Sequence, residues 1–197
     1  MIAAFFFAQY SSLIFIIAPL AFLTQKAGNR STFVSSITNK KSNKMENTTI
    51  NIPAKNTQSV FSNMRGAHVA LRVPNYEQTK NWYMEKLDFR LLHEWPFGDL
   101  QLAYLAPAND DNFWIELLAG GNPEPKANYA DLNESLHPSG YHHICMDVKS
   151  VDETLAELSK RGVTILGEPF NLPVIGKRLG FFSDLWGNVI ELAEVIS

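Results

Sequence analysis

Apolar and polar residues alternate in two short stretches of this chain, His68-Val-Ala-Leu-Arg-Val73 and His143-Ile-Cys-Met-Asp-Val148. A period of two marks an extended strand with one face buried. In the first stretch Val69, Leu71 and Val73 form the apolar side, and His68, Ala70 and Arg72 point the other way. In the second, Ile144, Met146 and Val148 oppose His143, Cys145 and Asp147. The period then lengthens. After Lys149-Ser150, residues Val151, Leu155 and Leu158 recur at i, i+4 and i+7, with Asp152 and Glu153 near the start and Lys160, Arg161 and Gly162 at the end. This predicts a helix whose charges suit its dipole and whose glycine stops it. Tyr76 to Leu87 follows Pro74-Asn75 in the same way, with Tyr76, Tyr83 and Leu87 at helical spacing and Trp82 and Met84 flanking. After each helix come apolar runs separated by turn residues, closing on Trp114-Ile-Glu-Leu-Leu118 or Val189-Ile-Glu-Leu-Ala193.

These segments are one pattern used twice. The two histidine-led strands lie 143 − 68 = 75 residues apart, and the same offset places Thr79 on Thr154, Leu91 on Leu166 and Glu116 on Glu191. The unit is a strand, a helix and about three strands. The predicted fold class is therefore α+β, with two tandem βαβββ modules in residues 65–197: module one 65–118, a connector 119–140, and module two 141–197.

Alternation also sorts the closing strands. Ile115 and Leu117, like Ile190 and Leu192, belong under the helices, which leaves Glu116 and Glu191 on the face that carries His68 and His143. If the two sheets curl toward each other, that face lines a cup in which two imidazoles and two carboxylates converge. Neutral imidazoles bind borderline metals, two carboxylates neutralise a dication, and the remaining positions stay with water or substrate oxygens. The expected cofactor is one divalent ion among Ni, Co, Zn, Mn and Fe, with ligands His68, Glu116, His143 and Glu191. The single Cys145 excludes an intrachain disulfide framework and a cysteine-based zinc cluster, which agrees with a His and carboxylate site.

Charge divides the chain. Of its 17 Lys and Arg, five precede Met45 (Lys26, Arg30, Lys40, Lys41, Lys44) with no Asp or Glu, giving +5; the remaining 12 against 20 acidic residues give −8, and the sum is −3. Such a balance offers no footprint for nucleic acid. Residues 2–23 are uncharged and apolar, long enough to cross a bilayer as a helix. Residues 1–24 are read as either a membrane span or an extension outside the working protein, which would then start at Met45. Residues 25–64 are read as a flexible polar linker. The expected location is the cytoplasm. If residues 2–23 insert, the cations on their C-terminal side keep the domain in the cytoplasm as an N-terminally anchored protein.

The features His68-Val-Ala-Leu-Arg-Val, Tyr83...Leu87-Asp-Phe89, Trp114-Ile-Glu116-Leu, His143-Ile-Cys-Met-Asp-Val and Phe181-Phe-Ser-Asp184-Leu-Trp-Gly187-Asn-Val-Ile-Glu191-Leu resemble the vicinal oxygen chelate superfamily over about residues 65–197. That superfamily includes glyoxalase I, extradiol dioxygenases, methylmalonyl-CoA epimerase and the fosfomycin and bleomycin resistance proteins. The resemblance implies a metal-lined cup of two βαβββ modules, commonly in a homodimer, with His68, Glu116, His143 and Glu191 as ligands. Because Glu116 is an additional carboxylate beyond the two His and one Glu of the dioxygenases, the resemblance points to a glyoxalase I-like, metal-dependent lyase or isomerase of a small oxygenated substrate. Glu191 or Glu116 is then the catalytic base. The alternatives are an Fe(II)-dependent dioxygenase and a non-catalytic antibiotic-binding protein of the bleomycin-resistance type.

Several other residues carry expectations. Arg72 and Asp147 occupy equivalent positions and either pair with each other or orient an anionic substrate. Cys145 reads as a small buried side chain. His142 falls on the opposite strand face from His143, while His93 and His137 have no partner in the repeat. The aromatics near Trp95 and Phe97 suit a substrate pocket, a core or a dimer contact, and Asp184 to Asn188 reads as a turn delivering the last strand, with Gly187 supplying its strained angle.

Overall fold

Both histidine-led stretches become edge strands of separate sheets in the computed structural model, which describes residues 50–196. In module one, β1 (His68–Val73) leads into α1 (Tyr76–Leu87), then β2 (Arg90–Phe97), β3 (Leu100–Ala106) and β4 (Trp114–Ala119). The sheet order is β1-β4-β3-β2, with β1 parallel to β4 and the other pairs antiparallel. The connector contains a short helix, α2 (Leu132–Ser135). Module two repeats the plan with β5 (His143–Asp147), α3 (Val151–Lys160), β6 (Thr164–Ile165), β7 (Phe170–Leu172), β8 (Lys177–Ser183) and β9 (Val189–Val195). Its order is β5-β9-β8-β6, and β7 pairs with β8 as well. The α+β arrangement of two curved sheets stands as expected. Residues 50–67 form no helix or strand and are almost wholly exposed. The membrane span or extension read at residues 1–24, and most of the linker, lie outside the described residues; among those described, no helix is long and apolar enough to cross a membrane.

Helix starts follow the local chemistry. Asn75 caps α1 by accepting from the backbone N–H of Gln78 at 2.9 Å, and Ser150 caps α3 by accepting from that of Glu153 at 3.3 Å. Helix α3 buries Val151, Leu155 and Leu158, the three residues its period singles out. Helix α1 departs from its apolar pattern, for its buried residues are Thr79 and Tyr83. Thr79 gives its hydroxyl proton to the Asn75 carbonyl and accepts from Trp186 Nε1 at 2.8 Å. The repeat preserves the first of these bonds, since Thr154 donates to the Ser150 carbonyl at 2.7 Å. A polar side chain satisfied in this way is buried without the usual penalty, and hydrophobic periodicity alone passes over it.

One core joins the modules. It gathers Leu71, Val73, Ile115 and Leu117 from the first sheet, Ile144, Phe182, Ile190 and Leu192 from the second, and Tyr83, Val151, Leu155 and Leu158 from the helices. All of these are helix-side residues. The faces carrying the histidines and glutamates therefore lie on the other side of each sheet, away from the shared core.

Asp184 is the polar anchor of this arrangement. Buried at 4% exposure, it accepts from the Tyr83 hydroxyl of the other module at 3.0 Å and from the N–H groups of Trp186 and Asn188 and the Asn188 amide, each at 2.8 Å. Burial and the adjacent carboxylate push the Tyr83 phenol well above its ordinary pKa, so it stays a donor. The turn expected here is confirmed. Gly187 has φ +77, and a Cβ there would lie 2.7 Å from Asn128 Oδ1 and 3.0 Å from the Ala127 carbonyl, so the connector packs directly on it. Asp184→Ala strands several buried donors at once and is expected to destabilise the domain by about 3 kcal/mol or more, read as a lower denaturant midpoint. An unchanged midpoint would remove the anchor role.

Candidate metal centre

Register decides which ionisable side chains meet. On the first sheet Ala70 lies beside Glu116 and His68 beside Trp114, so His68 and Glu116 are diagonal neighbours on one face. On the second sheet Cys145 lies beside Glu191 and His143 beside Val189, which repeats the diagonal. The resulting contacts match: His68 Nε2 is 3.2 Å from Glu116 Oε2, and His143 Nε2 is 3.0 Å from Glu191 Oε2. Each imidazole is about one-third exposed (36% and 33%) while each carboxylate is 14% exposed, so both pairs are reachable from solvent.

These separations fit a shared ion. Two donors about 2.1 Å from one metal and at right angles to each other are about 3.0 Å apart. Each pair thus offers one nitrogen and one carboxylate oxygen at the spacing of one edge of a coordination shell. The structure brings His68 to Glu116 and His143 to Glu191, but it does not bring the two pairs together within one chain. Among the described residues no group of three His, Cys, Asp or Glu side chains is placed to hold a metal. The physical reason is the core just described, which turns both His and Glu faces outward.

The surroundings of the two pairs differ. Around His68 and Glu116 the face is aromatic. Tyr104 lies 5.3 Å from the His68 ring, 4.8 Å from Trp95 and 5.3 Å from Trp114 between centroids, and His93 stacks on Trp95 at 5.4 Å. His93, which has no repeat partner, thus belongs to the same face through the β2–β3 register that sets it beside Tyr104. Around His143 and Glu191 the connector covers part of the face. Tyr129 and Leu132 pack on Leu166, Leu179, Phe181, Val189 and Ala193. Apolar residues at alternate positions on the supposedly polar side of β8 and β9 were the sequence signal for this cover.

Other expectations need correction. Arg72 and Asp147 do not pair with each other, because each has other partners. Arg72 donates to the carbonyls of Val73 at 3.0 Å, Leu118 at 2.8 Å and Gly120, and Asp147 accepts from Lys177 at 2.8 Å. Cys145 is exposed rather than buried, because β5 is an edge strand and this residue sits on its open face. Desolvation and the neighbouring Glu191 carboxylate, 3.4 Å from the sulfur, push its thiol up to about 12, which favours the protonated form at neutral pH. His142 is half-buried, and its Nδ1 lies 2.7 Å from Nδ1 of His143. Burial, with His143 and Lys126 nearby, holds the His142 imidazole below its ordinary pKa.

Comparison with known proteins agrees with this architecture. The family model for the Glyoxalase/Bleomycin resistance protein/Dioxygenase superfamily matches residues 65–192, which takes in both modules and all four candidate ligands. The chain belongs to this superfamily. Within it, the chain is 28% identical over 141 residues to human mitochondrial methylmalonyl-CoA epimerase, covering 70% of this chain and 78% of the relative. It is 27% identical over 128 residues to the uncharacterised YwkD of Bacillus subtilis (strain 168), covering 64% of this chain and 94% of that protein. Among solved structures, a glyoxalase family protein from Enterococcus faecalis superposes with a TM-score of 0.54 at 27% identity, over 66% of this chain and 97% of the other.

Proposed function

We propose that this superfamily member is a metal-dependent isomerase that moves a proton on the carbon next to a carbonyl group of a small substrate. The observation that carries the reading is the pair of His and Glu contacts, repeated at the same register in both modules. One pair alone gives two ligands, fewer than a tightly held ion needs. A twofold dimer that sets module one of one copy against module two of the other unites all four donors, twice, with each site shared between the chains. His68, Glu116, His143 and Glu191 would hold the ion, and the ion when bound supplies a Lewis acid that polarises the substrate oxygen. The chain's carboxylates do the rest. An Oε of Glu116 or Glu191 takes the proton from the neighbouring carbon and returns it, and Tyr104, Trp95 and Trp114 keep water from the reacting face.

The human relative makes methylmalonyl-CoA the first substrate to try, with the adduct of a 2-oxoaldehyde and glutathione as the second. In deuterium oxide, with Ni, Co, Zn, Mn or Fe supplied separately, the full chain is expected to exchange deuterium onto the acidic carbon of methylmalonyl-CoA or to isomerise the glutathione adduct. Neither reaction under any of the five metals would contradict the proposal.

A further inference from the structure

The environment of His143 contains a hydrogen-bond chain that starts at a buried hydroxyl. Ser135, the last residue of α2 and only 2% exposed, has a single hydroxyl proton and gives it to the Leu132 carbonyl at 2.6 Å. Its oxygen, 2.9 Å from His142 Nε2, must therefore accept from that nitrogen, so the His142 proton sits on Nε2. A neutral His142 then presents a bare Nδ1, which lies 2.7 Å from Nδ1 of His143. That short contact is favourable only if His143 carries a proton on its own Nδ1. His143 Nε2 faces Glu191 Oε2 at 3.0 Å, the position at which an ion can replace a proton.

We propose that Ser135 and His142 are positioning residues that hold the proton of His143 on Nδ1 and so dedicate Nε2 to the metal. This rests on the reading of His143 as a ligand. It assigns a role to two residues outside the four-donor set, one of them in the connector, and it gives the packing of the connector on this face a purpose. The two modules differ in this respect. Among the described residues, the imidazole ring of His68 meets Glu116 and Tyr104 and has no comparable partner from the connector.

The device has the form of a metal-bound histidine steadied through its other nitrogen, for which loss of the outer partner typically weakens metal binding by about 10–100-fold. The test uses the full chain with 15N-labelled histidine. In the metal-free wild type, His143 should show a slowly exchanging Nδ1–H and His142 an Nε2–H. Ser135→Ala should speed exchange of the His143 proton and loosen Zn by about 10–100-fold, and Ser135→Thr, which keeps the hydroxyl, should restore both. His142→Phe should behave like Ser135→Ala, and His142→Asn, which keeps an acceptor near the Nδ1 position, should recover part of the loss. A His143 Nδ1 without a proton in the metal-free wild type, or Zn affinity unchanged in both Ser135→Ala and His142→Phe, overturns the proposal. Equal Zn affinity of wild type and His143→Ala would instead sink the metal-centre reading, even with the proton on Nδ1, and would take the assigned purpose of the chain with it.

Discussion

Glu191→Gln, assayed at saturating metal, is expected to slow proton exchange at the substrate carbon by about 10²–10⁴-fold, the usual contribution of a positioned acid or base. The amide keeps the size and one oxygen of the carboxylate but cannot take a proton at neutral pH. Folding should be nearly unaffected, because this carboxylate is contacted by His143 and Cys145 and not by the shared core. Glu116→Gln should likewise leave the fold intact, and the variant with the larger loss of rate at saturating metal identifies which carboxylate carries the proton. Saturating metal matters here, since either substitution also removes a negative charge from the ion's surroundings and weakens binding by itself. Exchange that persists at the wild-type rate in both variants would take the carboxylates out of the proton transfer.

Much of this was legible in the residues, and the reason is locality. Strand alternation is written in neighbouring positions, so the division of β1 into a Leu71 and Val73 side and a His68 and Arg72 side needed no tertiary information. The repeat offset extended the argument across the chain, placing Glu116 and Glu191 on the histidine faces, and both diagonal contacts lie where that division puts them. Helix α3 was equally plain. Helix α1 was read correctly as an element with Tyr83 on its buried side, but Thr79 was missed, because it enters the core as a bonded polar group that leaves no hydrophobic signal.

What the residues withheld was the relation between faces. Periodicity says that His68 and Glu116 share a side of one sheet, but it does not say what that side meets. A cup within the chain and two outward faces joined behind by a common core have the same alternation, and contacts such as Ile115 and Ile144 in one core, or Tyr83 on Asp184, come from distant parts of the chain. The connector was illegible for a related reason. Tyr129, Leu132 and Ser135 sit among polar residues with no period, and what they do depends on distant partners, the surface of β8 and β9 under Tyr129 and Leu132 and the His142 ring beside Ser135.

The second large effect follows from dividing the four ligands between two chains. The variant His68→Ala/Glu116→Ala and the variant His143→Ala/Glu191→Ala should each bind metal poorly alone. When equal amounts are allowed to exchange subunits, about half of the dimers contain one of each, and each of these has one intact site out of two. Metal analysis of the mixture should then recover about a quarter of the wild-type content, and activity should return in the same proportion. This measurement reaches the central claim directly, because it reports whether His68 and Glu116 of one chain work with His143 and Glu191 of another. Recovery to about a quarter is the result the dimeric site predicts, and a mixture that binds no more metal than its two parents would contradict it.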